Sequence, residues 1–200
     1  ILILGIIDHG AKAIVFDIND EYSGLRFMEN ECKSKYHDKI ITLEPNPTEK
    51  SKYIPLKFTL EYIGLNVFYR VLTEVLGLPE ASAYTFRNIW IELEKSGNLD
   101  LESIYHSVEN LPPKITGAII RRIETIESTG IITLNENECT RIEDLLNKID
   151  DGGALIINLK AKGSPIQEIV VQTILSKVED LLENGIVDKD LKITLTNIER

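Results

Sequence analysis

Residues 12–16 read Lys-Ala-Ile-Val-Phe, an apolar, β-rich run without polar alternation, and Asp17, Asp20 and Glu21 follow it directly. A strand that is apolar on both sides belongs inside a sheet covered on both faces, which is the habit of parallel strands. Residues 154–159, Ala-Leu-Ile-Ile-Asn-Leu, repeat the pattern far downstream. Two such runs confine the chain to a layered α/β architecture. In open α/β sheets ligands sit at the carboxyl ends of the strands, where the acidic trio falls. The residues alone allow either a ligand edge or a solvated acidic loop.

The remaining elements follow from punctuation. Residues 1–10 read as the tail of a helix stopped at Gly10, and the chain, which opens on Ile1 inside an apolar run, reads as a fragment. Residues 39–44 form a second β-type run closed by Pro45-Asn-Pro47. After Pro55 the character changes. Thr59 can cap a helix over residues 60–76, and further helices are expected over 80–96, 101–110 and 114–128. The α/β pattern then resumes with a short helix over 138–149, the strand at 154–159 and a helix running to Asn184 with Ser164 as cap and Pro165 first. A last strand is expected over 192–196. The division is therefore 1–54 as the first part of a core, 55–135 as an inserted all-helical subdomain, and 136–200 as the second part.

Composition bounds the function. The chain is 43% hydrophobic and 27% charged, ordinary for a globular protein, and its net charge of −10 argues against a surface broadly coated with nucleic acid. No apolar run approaches the roughly 20 residues that span a bilayer, so no membrane is expected. Cys32 and Cys139 match no metal spacing and fit a reducing, cytoplasmic setting. His9, His37 and His106 stand alone and read as surface or packing residues. Within the helical block, the last helix and residues 131–134 are similar to the second half of a winged-helix module spanning 98–134. Arg121 and Arg122 would there meet DNA phosphates. Glu124 and Glu127 on the same helix favour packing instead.

With these residues in view, the succession resembles the HerA/FtsK-type branch of P-loop ATPases, in particular the archaeal-type HerA-like DNA translocases and helicases. Residues 16–25, Phe-Asp-Ile-Asn-Asp-Glu-Tyr-Ser-Gly-Leu, resemble that family's strand-end motif, and residues 154–184 resemble its strand, loop and helix before Walker B. A helical insertion between the two is typical of the family. The departures are Ile18 where the family has proline and Asp20 where it has glycine. The 200 residues contain no Gly-x-x-x-x-Gly-Lys-Ser/Thr phosphate loop, whose family position lies upstream of Ile1. At the Walker B position Asn197 and Ile198 stand where an acidic pair is expected, with Glu199 one step later.

The resemblance implies a RecA-like P-loop NTPase core with a mainly parallel sheet, incomplete here, and an ATPase using ATP and Mg²⁺. It implies catalytic roles for Asp17, Glu21 and Glu199, with Asp17 and Glu21 ordering Mg²⁺ and water near the γ-phosphate. Asp20 reads as a solvated turn residue and Tyr22 as packing beneath the turn. The implied activity is a cytoplasmic, homo-oligomeric ring, hexameric, that moves double-stranded DNA beside a partner nuclease in end processing or repair. The fragment by itself is expected to be inactive for want of the phosphate loop. Two alternatives are a conjugation or secretion ATPase and a non-catalytic DNA-binding or assembly module built on 98–134.

Overall fold

A computed structural model describes residues 2–26, 34–48, 52–149, 152–186 and 190–196. By internal packing the chain divides into two compact units. The first holds Ile1–Leu56, Arg141–Lys162 and Ile174–Arg200, and the second holds Lys57–Thr140 and Gly163–Thr173.

The first unit is built on a five-stranded sheet. Its strands are β1 (Lys12–Asp17), β2 (Ile40–Pro45), β3 (Ile54–Leu56), β4 (Gly153–Asn158) and β5 (Lys192–Thr196). They lie in the order β3-β2-β4-β1-β5, and every pairing is parallel. The two continuous apolar runs of the sequence, β1 and β4, are neighbours in register, Ala13 opposite Ala154 and Asp17 opposite Asn158. Residues 13–17 of β1 and all of β4 are buried, as a strand covered on both faces requires. The period of two is visible in the packing: Ala13, Val15, Ala154 and Ile156 share a cluster with Ile40 and with Ile3 and Ile7 of α1 (Leu2–Asp8). Tyr22 and Leu25 from the turn after β1 pack against the same cluster.

The third strand went unread because it has three residues with Pro55 at its centre. It lies at the sheet's edge, beside β2 alone, where a missing amide is tolerated. The helix expected over 138–149 is shorter. Residues 136–138 form a 3₁₀ turn, and α7 covers Ile142–Lys148 in the first unit.

The second unit is helical, with its own core. The single helix expected over 60–76 is interrupted: α2 (Leu60–Ile63) ends at Gly64, whose φ of 78° breaks the ladder, and α3 (Leu65–Arg70) runs on into a π-helical turn at Val71–Val75. Thr59 caps α2, its side chain accepting the Tyr62 amide at 3.3 Å. Then come α4 (Glu80–Ser96), α5 (Leu101–Val108) with Asp100 accepting the Ser103 amide at 2.7 Å, and α6 (Pro113–Glu127). Phe68, Phe86 and Trp90 form the centre of this unit, with ring centroids 5.2 to 5.9 Å apart. Residues 131–134 do not form a wing strand. Ile132 makes one isolated parallel bridge to Phe58, with Phe58 N donating to Ile131 O at 2.9 Å and Thr133 N to Phe58 O at 2.9 Å. The long helix α8 (Ser164–Glu183) contributes to both units.

Close approach fixes the entry to β4. A Cβ added at Gly153 would meet the Lys39 carbonyl oxygen and would lie 2.9 Å from Ile149 Cβ. Gly153→Ala should therefore destabilise the fold by about 1–3 kcal/mol, the usual cost of overpacking, measured as a shift in urea midpoint at constant slope.

Candidate functional site

The carboxyl edge of the sheet carries the chemistry-bearing side chains. Asp17 ends β1 and is completely buried. A carboxylate placed there must find donors, because an unmet buried charge is costly. The chain supplies them by turning back on itself. The Glu21 amide donates to Asp17 Oδ1 at 3.0 Å and the Tyr22 amide to Oδ2 at 2.9 Å. Both carboxylate oxygens are thus used to hold residues 18–22 over the strand end, and the Asp17 carbonyl accepts the Leu159 amide at 2.8 Å.

The same turn carries Asp20 at φ 60°, the left-handed region that few side chains adopt. Asp20 is not the solvated turn residue expected from sequence. Its carboxylate is 24% exposed and gathers three donors. Tyr53 Oη lies 3.3 Å from Oδ1, Asn158 Nδ2 3.4 Å from Oδ1, and Lys160 Nζ 3.3 Å from Oδ2. Asn158, at the end of β4, in turn accepts the Lys160 amide on Oδ1 at 2.9 Å. Next along the edge, Lys162 and Glu44 at the end of β2 form a half-buried ion pair at 3.1 Å.

Glu21 is different. It is exposed, and the side-chain hydrogen bond its carboxylate makes is a 3.4 Å contact from Asn19 Nδ2. Of the residues expected from sequence, Asp17 and Glu21 are therefore brought to one strand end, with Asp17 turned inward and Glu21 outward. Glu199 lies outside the described residues, as does Cys32. Magnesium keeps several waters and takes one or two protein carboxylates alongside substrate phosphates, and an exposed Glu21 suits that donor set. Among the described residues no group of three or more His, Cys, Asp and Glu is placed to hold a metal ion by itself.

The helical unit places its arginine pair apart in role. Arg122 donates to the carbonyls of Leu76 at 3.0 Å, Gly77 at 2.8 Å and Ala118 at 2.9 Å, so its guanidinium closes the end of the π-helical turn. Arg121 is exposed on α6. The histidines serve local contacts: His9 Nδ1 with Gly5 O at 2.7 Å, His37 Nδ1 with Arg26 O at 3.1 Å, and His106 beside Glu109 at 3.2 Å. Cys139 is a free thiol 4.0 Å from Thr59 Oγ1. No helix among the described residues is long and apolar enough to cross a membrane.

Sequence reasoning missed Asp20, Tyr53, Asn158 and Lys160 as one cluster. The available signal was Asp20 itself, standing where the resembling motif has glycine.

Compared with known families, residues 1–178 match the model described as helicase HerA, central domain. No curated protein matches the chain.

The two carboxylates should respond oppositely to amide substitution. Asp17→Asn sets an NH₂ group against one of two donating amides and should cost about 1–3 kcal/mol in urea unfolding, whereas exposed Glu21→Gln should stay within about 0.5 kcal/mol of the parent.

Proposed function

We propose that this chain, which belongs to the helicase HerA central-domain family, works as the motor core of a DNA translocase. Family membership makes it an ATPase of the HerA/FtsK type. The finer reading rests on one observation above all. Glu21 stands exposed at the carboxyl edge of an all-parallel sheet, held from behind by the buried Asp17 carboxylate.

Phosphoryl transfer asks a protein chiefly for positioning and charge stabilisation. Glu21 suits the task of orienting an attacking water, its carboxylate accepting a hydrogen bond from that water while its backbone stays fixed by Asp17. Asp17 holds the turn through the amides of residues 21 and 22. Mg²⁺ arriving with ATP would supply positive charge against the phosphate oxygens, and Glu21 is the side chain at this turn that would hold the ion or its waters. We assign the protein to double-stranded DNA, as a cytoplasmic homo-oligomeric ring, hexameric in its working form, that acts with a nuclease on DNA ends. The non-catalytic DNA-binding alternative is weakened by Arg122, whose guanidinium is already committed to three carbonyls.

The test is ATP hydrolysis by the full-length protein with and without duplex DNA. Stimulation by DNA, with turnover abolished by Glu21→Gln at unchanged folding, supports the motor. Hydrolysis absent despite salt-sensitive DNA binding would sink it, and unchanged turnover in Glu21→Gln removes Glu21 from the site.

A further inference from the structure

We propose that Asp20 is a positioning residue, a side-chain hook that sets where the neighbouring Glu21 carboxylate stands. The inference rests on the reading of Glu21 as the water-orienting group.

Three observations carry it. Asp20 adopts φ 60°, a conformation that glycine reaches freely and that other residues hold only when their surroundings over-determine it. What over-determines it here is a set of donors drawn from separate parts of the sheet: Tyr53 leading into β3, Asn158 closing β4, and Lys160 just beyond it. Asn158 is itself buried and pinned to the Lys160 amide, so this donor is held in place independently of Asp20. The third observation is adjacency. Asp17 grips the amides of residues 21 and 22 from below, while Asp20 ties the preceding residue to the β4 end, so the backbone of Glu21 is fixed on both sides.

A glycine at this position would permit the same backbone path without securing it. This chain replaces conformational freedom with a charged, three-donor attachment. Lys160 matters twice, because its ammonium leaves Asp20 partnered and Glu21 as the acid facing solvent at the turn. Misplacing a reacting group by about an ångström can cost on the order of a hundred-fold in rate, which is the scale on which such a hook acts.

The experiment compares Asp20→Gly, Asp20→Asn, Lys160→Met and Glu21→Gln in the full-length protein. It records kcat and KM for ATP, melting temperature, and amide hydrogen exchange at residues 21 and 22. Asp20→Gly should lower kcat by about ten-fold or more with KM and melting temperature near the parent, and should speed exchange at both amides. Asp20→Asn tolerates the left-handed backbone and keeps an acceptor, so it should recover most of the turnover. Lys160→Met should give an intermediate kcat. Wild-type kcat and exchange in Asp20→Gly, with Glu21→Gln inactive, would overturn the role of Asp20 and leave the reading of Glu21 standing. A parallel fall in kcat, melting temperature and ATP affinity would mark Asp20 as a general structural residue and equally overturn it. Full turnover in Glu21→Gln would remove the underlying reading instead.

Discussion

The edge of the sheet depends on a buried carboxylate and the two amides that satisfy it. Asp17 ends a strand flanked by β4 and β5, with no solvent to take up its charge. Its two oxygens accept hydrogen bonds from the Glu21 and Tyr22 amides at 3.0 and 2.9 Å, which meets the need of a buried polar group for partners. That requirement makes the chain reverse immediately after β1. Reversal sends Tyr22 onto the same apolar cluster that α1 covers and leaves Glu21 outside. Fold and candidate chemistry therefore share one cause. An apolar residue in place of Asp17 would remove both the turn and the placement of Glu21.

The helical unit is stabilised by different means. Its centre is aromatic, Phe68 against Phe86 and Trp90, and its irregular points are closed by single polar side chains. Gly64 ends one helix and begins the next, Arg122 covers the carbonyls at Leu76 and Gly77, and Lys57 meets Glu138 at 2.8 Å. That contact, above all its hydrogen bond, holds the Glu138 carboxyl below the ordinary range. This is the pattern of a unit whose surface is available for contacts while its interior is independently packed. Exposed residues of such a unit, Tyr84 and Leu134 among them, can vary without disturbing its core.

How much of this was legible in the sequence depended on how local each cause was. The strands β1 and β4 could be read because burial on both faces writes a continuous apolar run. Helix α4 was read to its ends because Gly97 stops it. The break at Gly64 was hidden because apolar periodicity continues across it. Residues 131–134 resemble a strand because an irregular segment with alternate residues buried, Ile131 and Thr133 here, also favours β-branched side chains, and only the partner Phe58, far upstream, reveals a single bridge. Asp20 differs from its sequence expectation because the cause is equally remote. Its partners lie 33, 138 and 140 residues away, and no spacing rule reaches that far.

With Glu21 outward and Asp17 inward, the turn after β1 is proposed to face the γ-phosphate. The direct measurement is a structure of the full-length protein with Mg²⁺ and a non-hydrolysable ATP analogue. The terminal phosphate is expected at the carboxyl edge of β1, with Glu21 contacting it through a water or the ion and Asp17 still bonded to the amides of residues 21 and 22. A nucleotide bound elsewhere, or one that leaves Glu21 out of reach of that phosphate's water, would contradict it.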